Sequence, residues 1–236
     1  QGEVILLIDD DAVAPPDWIR RHLAHYADPT VGAVGGPAVN YWPDGTAYPE
    51  HPVEPIGTLS WFGRLRGNMF DQPESWRTRA PREDDHVVGY NFSLRRHVFG
   101  HFEEQLKRYW QLWELEACLQ VRGSGHRVLF DFQNVVEHHP TNTAYYGGRH
   151  GDLDVKIYGG AFNQCFVLAK HSPAHLRPVR LVFQLLVGSV SMPGLVGAVV
   201  ATRRFGQPLR ELRVLARTLQ SSLQGWRAGA GRRKSG

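Results

Sequence analysis

The strongest structural signal in this sequence is an apolar run that ends in three acids, Val4-Ile5-Leu6-Leu7-Ile8-Asp9-Asp10-Asp11. Five consecutive apolar residues, rich in β-branched side chains, predict a buried strand of the kind found in parallel sheets. Ligands of open α/β sheets bind beyond the carboxyl ends of the strands, so the acids mark a candidate site. Because side chains alternate along a strand, we expect Asp9 and Asp11 to point to one side and Asp10 to the other.

The three acids have the chemistry of a divalent metal site. Adjacent carboxylates repel one another unless a cation or hydrogen-bond donors lie among them. Two carboxylates on one side of the chain suit Mg²⁺ or Mn²⁺, with a phosphate group completing the coordination shell. The alternative is an acidic turn that caps the helix expected after Pro15-Pro16-Asp17. A cap needs one carboxylate rather than three, which favours the metal interpretation.

The sequence that follows predicts alternating helices and strands. Ile19, Leu23 and Tyr26 have helical spacing after the two prolines. Further strands are predicted at 31–39, 87–94, 127–132 and 135–137, a helix at 109–122, and a long functional loop at 41–84. This order of elements predicts an α/β domain.

The composition excludes some classes of protein. A hydrophobic content of 42% excludes wholesale disorder. The two cysteines, Cys118 and Cys165, are too few for a disulfide framework or a four-thiolate zinc site, which favours a reducing compartment. The first residues carry neither the basic region nor the apolar region of a signal peptide.

Charge is distributed unevenly along the 236 residues. Residues 1–170 carry 16 Lys and Arg against 22 Asp and Glu, a net charge of −6. Residues 171–236 carry 11 Lys and Arg against one acid, Glu211, a net charge of +10, and the two values together give the +4 of the whole chain. A basic segment of this kind is expected to meet an anionic partner, either phospholipid head groups or nucleic acid.

The basic segment also contains apolar stretches. Residues 181–201 carry no charge and have the length of a membrane-spanning helix, but Pro193-Gly194 interrupts them. A span, a re-entrant or interfacial segment, and a buried helical pair all remain open. Leucines between 209 and 223 recur at helical spacing with arginines between them, which predicts a basic amphipathic helix. Such a helix lies on an anionic membrane surface or packs on its own domain, and residues 229–236 are expected to be a disordered tail.

Four blocks of residues occur in a definite order along the first 140 positions. They are Gly2-Glu3 with the acidic strand and Pro16-Asp17-Trp18, then Gly89-Tyr90-Asn91 through Arg95-Arg96, then Trp113-Glu114-Leu115-Glu116, and finally Val135-Val136-Glu137-His138. In this order they resemble the motifs of family 2 glycosyltransferases. The resemblance implies a GT-A fold, in which a Rossmann-like mixed sheet is flanked by helices.

The resemblance also implies a reaction and a set of site residues. Family members transfer a sugar from a nucleotide-sugar donor to a hydroxyl acceptor in one inverting displacement, with a divalent metal and a carboxylate base. Carried over by position, the base is Glu114, the donor-binding residues are Asp9, Asp10, Asp11, Gly89 and Asn91, and the ligands of Mg²⁺ or Mn²⁺ are Asp9, Asp11 and His138.

The sequence departs from the family pattern in three places. Trp113 stands where the family usually has Glu, and Glu114 stands where it has Asp. In Gly100-His101-Phe102-Glu103-Glu104, which resembles the family's Gly-Gly-Phe-Asp-Glu turn, His101 replaces the second Gly. In addition, the family's first strand–helix units, which hold the nucleobase, would lie upstream of Gln1. We therefore expect a partial GT-A catalytic domain over residues 1–160 that is incomplete at its N-terminus.

Residues 161–236 are expected to form a basic helical extension, because they resemble the extension of membrane-associated members. The expected acceptor is a saccharide or a lipid-linked saccharide of polysaccharide or glycolipid biosynthesis. The expected location is cytoplasmic, peripheral at the anionic inner face of the plasma membrane.

Two other functions remain open at this point. The chain could be a degenerate, non-catalytic transferase domain that serves as a membrane-surface binding module, an interpretation that Trp113 favours. It also has the Asp-x-Asp of haloacid-dehalogenase-type phosphatases, in which Asp9 would be the nucleophile and Asp11 the general acid. The lysines of this sequence follow no evident motif of that class. A nucleic-acid partner is not expected, because no recognition motif accompanies the basic charge.

Overall fold

The structure is a computed structural model that describes residues 2–67, 69–106, 112–140, 153–189, 192, 194–196 and 208–232. The chain divides into two compact units. We call the first the sheet unit; it comprises Gln1–Leu59, Leu65–Phe102 and Trp113–Asn142. We call the second the helical unit; it comprises Ser60–Arg64, Glu103–Leu112 and Thr143–Gly236.

The described residues form ten strands and five α-helices. The strands are β1 (Val4–Ile8), β2 (Ala12–Val13), β3 (Val31–Gly35), β4 (Ala38–Asn40), β5 (Thr58–Leu59), β6 (Leu65–Arg66), β7 (Arg82–Asp84), β8 (Asn91–Arg95), β9 (Arg127–Phe130) and β10 (Val136–His138). The helices are α1 (Trp18–His25), α2 (Trp113–Gly123), α3 (Leu153–His171), α4 (Arg177–Leu186) and α5 (Pro208–Ala230). The domain boundary expected at residue 160 falls inside α3.

The sheet unit contains a five-stranded mixed sheet in the order β1-β8-β3-β9-β7. The β3–β9 pair is parallel and the other pairs are antiparallel. A second, three-stranded sheet has the order β2-β10-β4, in which β10 runs parallel to β4 and antiparallel to β2. The predicted α/β class, a mixed sheet with helices, is therefore confirmed.

Strand β1 lies where the sequence predicted it, but the prediction that it is buried in a parallel sheet is wrong. It is an edge strand of the described sheet, pairs antiparallel with β8, and is only partly buried. Its side chains at Ile5, Leu6 and Leu7 pack against the core from this edge. An apolar run shows that both faces of a strand meet other side chains, but it does not report the direction of the neighbouring strand.

Helix α1 buries a different face from the one that its aliphatic residues suggest. Ile19 and Leu23 are exposed, whereas Trp18 and His22 are buried. Both buried rings bond to the side-chain oxygen of Asn91, from Trp18 Nε1 at 2.8 Å and from His22 Nε2 at 3.0 Å. Burial lowers the pKa of His22 to about 4, so its ring is neutral at physiological pH. Hydrogen bonds to a core amide therefore set the rotation of this helix.

Four predicted elements differ in extent from the observed ones. The single strand predicted at 31–39 is two strands, β3 and β4, which lie in different sheets. The strand predicted at 87–94 is observed only as β8, because residues 87–90 form an irregular approach to it. The helix predicted from residue 109 begins at Trp113, since Leu112 has a left-handed φ of 69°. Residues 107–111 lie outside the described part of the chain. The predicted loop at 41–84 contains β5, β6, β7 and a 3₁₀ turn at Glu74–Thr78.

In the helical unit, α3 and α5 approach each other closely at two glycines. A Cβ atom on Gly225 would lie 2.1 Å from the carbonyl oxygen of Phe162, and one on Gly229 would lie 2.2 Å from that of Phe166. Only glycine permits this separation of the two backbones. The helix predicted at 209–223 is thus confirmed within α5, but Gly229 and Ala230 belong to the helix rather than to a disordered tail. Residues 233–236 are outside the described part.

The uncharged stretch 181–201 is not one continuous helix. Helix α4 ends at Leu186, Gly188 takes a left-handed φ of 65°, and the Gly194 amide bonds back to the Val187 carbonyl at 3.0 Å. Residues 190, 191, 193 and 197–201 lie outside the described part of the chain. Among the residues that are described, no helix combines the length and the apolar character needed to cross a membrane.

Candidate active site

The three acids after β1 form a turn rather than the end of a strand. The Ala12 amide donates to the Asp9 carbonyl at 3.1 Å, and β2 begins at Ala12. The side chains of Asp9 and Asp11 nevertheless face one cluster, while Asp10 is exposed and lies outside it. The sequence predicted the right pairing of these acids for the wrong reason, because a tight turn and not strand alternation brings them together.

His138 reaches this turn through the small sheet. Its strand, β10, pairs with β2 so that His138 lies opposite Ala12, and the His139 amide donates to the Asp11 carbonyl at 2.8 Å. As a result, His138 Nε2 lies 3.1 Å from Asp11 Oδ1. One potential ligand atom from each of Asp9, Asp11 and His138 lies within 4.8 Å of the others.

Two further residues fix the orientation of the His138 ring. His138 Nδ1 lies 2.7 Å from Asn40 Oδ1, and Asn40 Nδ2 in turn donates to Asp71 Oδ2 at 2.8 Å. The Asn40 backbone amide donates to the other Asp71 oxygen, also at 2.8 Å. Since the amide oxygen can only accept, Nδ1 carries a proton, and Nε2 is the ring nitrogen that faces the cluster.

In this orientation, the contact between His138 and Asp11 requires a positive charge. An unprotonated Nε2 and the Asp11 carboxylate are both acceptors, so at 3.1 Å either a proton or a cation lies between the two atoms. Burial raises the pKa of Asp9, and the negative charge of Asp11 raises it further. Two carboxylates and an imidazole nitrogen that is available as a ligand are a donor set that fits Mg²⁺ or, with its greater tolerance of nitrogen, Mn²⁺.

A second feature of the site is a buried carboxyl group on α2. Glu114 is the second residue of that helix, and its Oε2 atom is buried with no hydrogen-bond partner among the described residues. Burial raises the pKa of Glu114 to about 7, and the charge of Asp9 acts in the same direction. A carboxyl group with a pKa near 7 can accept a proton from a hydroxyl group at physiological pH.

Trp113, the departure from the family pattern, packs inside the sheet unit. Its ring lies 5.8 Å from Phe92 and 5.4 Å from Phe102, measured between centroids. A Cβ atom on Gly89 would lie 2.2 Å from the Trp113 indole, so glycine is required at 89. The indole therefore anchors the first turn of α2, which carries Glu114.

Asn91 is fully buried, and its side chain makes hydrogen bonds within the fold. Besides accepting from α1, its side-chain amide donates to the carbonyls of Pro37 at 3.3 Å and Asn134 at 2.6 Å. Of the residues named from the sequence, the structure thus brings Asp9, Asp11 and His138 together with Glu114 nearby, while Gly89 and Asn91 make buried contacts in the sheet unit.

Asn40 and Asp71 are the site residues that sequence analysis missed. Asn40 had a detectable signal, because it is a polar residue directly after the strand predicted at 31–39. Asp71 had none, since it lies inside the long loop, where its left-handed φ of 53° aims the carboxylate at Asn40. An isolated acid in an irregular segment gives no periodicity from which to infer its partner.

Part of the chain is similar in sequence to known proteins. Residues 1–101 match the model of glycosyl transferase family 2. The glucosyl-dolichyl phosphate glucuronosyltransferase of Haloferax volcanii is 29% identical over 147 residues, which are 58% of this chain and 43% of that protein. The uncharacterized protein y4gI of Sinorhizobium fredii is 26% identical over 144 residues, 59% of this chain and 15% of that protein. The chain therefore spans less than half the length of both relatives.

Among solved structures, the crystal structure of GalNAc-T7 with UDP, GalNAc and Mn²⁺ aligns with a TM-score of 0.46 at 14% identity, over 85% of this chain and 41% of that one. The family match covers the acidic turn, Asn40, Asp71 and β8. The similarity to glycosyl transferase family 2 is thus found over residues 1–101, which are less than half of the 236 residues.

Proposed function

We propose that the protein transfers a sugar from a nucleotide-sugar donor to a hydroxyl acceptor with inversion, in the synthesis of a polysaccharide or glycolipid. The observation that carries the proposal is the cluster of Asp9, Asp11 and His138, with the buried carboxyl of Glu114 nearby, in a family 2 segment. A metal-ligand set and a carboxyl group with a pKa of about 7 are the two parts that such a transfer needs.

Asp9, Asp11 and His138 would hold Mg²⁺ or Mn²⁺ in this proposal. When bound, the ion neutralises the negative charge that develops on the leaving diphosphate. The exposed Asp10 lies beside this cluster and is proposed to contact the donor. Gly89 and Asn91, which are buried, contribute to donor binding by shaping the site around Trp113 and α1.

Glu114 would act as the base. The acceptor hydroxyl oxygen attacks the anomeric carbon, the bond from that carbon to the diphosphate oxygen breaks, and the hydroxyl proton passes to the Glu114 carboxylate. Attack from the face opposite the leaving group inverts the anomeric configuration. The apolar surroundings that raise the Glu114 pKa make its carboxylate a stronger base at neutral pH.

The acceptor is proposed to be a saccharide carried on a lipid, at the anionic inner face of the plasma membrane. The Haloferax volcanii relative is named for a glucosyl-dolichyl phosphate substrate. The net charge of +10 in residues 171–236 would draw the protein to anionic lipid.

The test uses the protein that contains this chain, nucleotide-sugar donors, Mn²⁺, and lipid-linked and soluble saccharide acceptors. We expect transfer that stops on addition of a chelator and falls at least about 100-fold in Asp11→Asn and in Glu114→Gln. Asp44→Asn, which changes an exposed acid, is the matched control and should retain transfer. If both site variants transfer sugar at the wild-type rate, the assignment of the site is wrong.

A further inference from the structure

Helix α4 of the helical unit has its polar side inward and its apolar side outward. Arg180 and Gln184 are only 8% and 7% exposed, whereas Val182 and Leu186 are 52% and 44% exposed. In water the outer side is unfavourable because its apolar surface stays wet, while the buried polar groups on the inner side need hydrogen-bond partners within the unit. The arrangement becomes favourable when an apolar medium covers the outer side.

The inward side is held by specific hydrogen bonds within the helical unit. Arg180 Nη1 donates to Ser172 Oγ at 2.8 Å, and Gln184 Oε1 accepts from Gln164 Nε2 at 2.9 Å. These bonds use the polar groups of α4 and fix the rotation of the helix about its axis. The apolar residues therefore remain on the outside and cannot turn inward without breaking this network.

The outer side continues beyond the helix as one set of exposed apolar residues. Val179, Val182 and Leu186 have the i, i+3, i+7 spacing of one helical face. The chain then turns at Gly188, and Gly194 returns against the end of α4. We call the exposed side chains of Val179, Val182, Leu186, Val187, Leu195 and Val196 the apolar face.

An exposed tryptophan is clamped beside α4. Trp61 is 63% exposed, yet its carbonyl accepts from Arg180 Nε at 3.0 Å. The carbonyl of Gly63 accepts from Gln184 Nε2 at 2.9 Å, and Phe62 packs edge-on against Phe183. The polar side of α4 thus holds this loop in place. Tryptophan, with an apolar ring and one N–H donor, is the residue type that prefers the boundary between lipid and water.

We propose that the apolar face inserts into the outer part of an anionic phospholipid bilayer, so that α4 lies in the plane of the membrane surface and Trp61 lies at the boundary between lipid and water. Residues 171–236, which include α4, carry a net charge of +10, and this charge complements anionic head groups. A ten-residue helix is about 15 Å long and too short to span a bilayer core of about 30 Å. This inference deepens the membrane location in the proposed function and is independent of the transfer chemistry.

The test is flotation of the whole chain with vesicles, without donor or metal. We expect binding to vesicles that contain phosphatidylglycerol and much weaker binding to vesicles of phosphatidylcholine alone. Val182→Ser/Leu186→Ser should weaken binding to the anionic vesicles at least about tenfold. The matched control is Ile19→Ser/Leu23→Ser, which removes exposed apolar surface at the same i, i+4 spacing from α1 and should bind like the wild type.

A second measurement reports insertion directly. Lipids brominated in the upper acyl chain should quench tryptophan fluorescence of the wild type, and Trp61→Phe should lose most of that quenching. Thermal melts establish that each variant is folded. The inference is overturned if Val182→Ser/Leu186→Ser floats as well as the wild type. It is also overturned if Ile19→Ser/Leu23→Ser loses as much binding as the α4 variant.

Sedimentation of the wild type as a dimer that the α4 variant converts to monomer would also overturn the inference, because it would assign the apolar face to a second copy. Asp11→Asn separates this inference from the proposed function. That variant should lose sugar transfer while its flotation stays unchanged, so a failure of one proposal is distinguishable from a failure of the other.

Discussion

At the scale of single residues, the site depends on side chains whose environment changes their chemistry. Asp9 and Asp11 were identified from the sequence directly, because three acids after a strand are a local pattern. Glu114 and His138 were identified only through a family resemblance, since an acid at a helix start and a His pair have ordinary structural explanations. Asn40 and Asp71 escaped notice because the hydrogen bonds that define their role join positions far apart in the sequence.

Glu114→Gln is expected to stabilise the metal-free protein at pH 8 while it abolishes transfer. The pKa of Glu114 is raised from its ordinary value of 4.5 to about 7 in the folded state. Between these values the unfolded chain has released the proton and the folded one has not, so stability falls as pH rises through this window. Glutamine resembles the neutral acid and avoids this loss, a gain of roughly 1–3 kcal/mol.

Urea unfolding at pH 4.5 and at pH 8 measures this effect. The two proteins should be about equally stable at the lower pH, and the variant should be more stable at the higher pH. Glu3→Gln, which changes an exposed acid, is the matched control. A Glu114→Gln protein that is less stable than the wild type at pH 8 would contradict the raised pKa.

Asn40→Ala and Asp71→Asn are expected to weaken Mn²⁺ binding about 10- to 100-fold. Each breaks the chain of hydrogen bonds that holds the His138 ring with Nε2 toward Asp9 and Asp11. Titration calorimetry with Mn²⁺ measures the affinity without any assay of transfer. Asp44→Asn, which also removes an acid that accepts from a nearby backbone amide, should bind Mn²⁺ like the wild type. Unchanged affinity in a folded Asn40→Ala protein would show that the ring is oriented by other contacts.

At the scale of elements, periodicity located the helices and strands better than it described their neighbours. Strand β1 was predicted in place, but its antiparallel pairing and edge position depend on β8, which is far away in sequence. The exposed aliphatic residues of α1 gave no indication that Asn91 would bind the opposite face. The same holds for helix α4, because polar partners on other segments determine which of its faces points outward. A local sequence pattern indicates local structure, whereas the pairing of strands and the rotation of a helix about its axis depend on residues far away in sequence.

Gly225→Ala is expected to destabilise the protein by about 1–3 kcal/mol. The added Cβ atom would lie 2.1 Å from the Phe162 carbonyl oxygen, so α3 and α5 must move apart. Chemical denaturation measures the loss. Gly123→Ala on α2 is the matched control, because nothing lies within 4 Å of its Cβ position and alanine favours the helix. Equal stability of Gly225→Ala and the wild type would mean that the close approach of the two helices is not needed.

At the scale of the whole molecule, the main feature is the separation of charge along the chain. The first 170 residues are mildly acidic and the last 66 are strongly basic, with net charges of −6 and +10. The part of the chain that contains Asp9 and Asp11 is thus followed by a strongly basic segment. The sequence alone predicted this division, because net charge is a sum and needs no knowledge of contacts.

Binding to anionic vesicles is expected to weaken as salt rises. At about 0.5 M salt the Debye length falls to roughly 4 Å, so the attraction of the basic segment is screened while apolar insertion is not. Flotation at low and high salt measures this effect. Part of the binding should remain at high salt, and that part should depend on Val182 and Leu186. Loss of all binding at high salt in both the wild type and Val182→Ser/Leu186→Ser would indicate purely electrostatic attachment.

The outward apolar side of α4 has a consequence for kinetics. An enzyme held on a bilayer meets lipid-borne acceptors by lateral diffusion, so its rate follows the number of acceptors per unit area and not their concentration in the suspension. Adding acceptor-free vesicles at a fixed amount of acceptor should therefore slow the wild type, because part of the enzyme then binds bilayers that carry no acceptor. The Val182→Ser/Leu186→Ser enzyme, which would collide with vesicles from bulk solution, should respond much less.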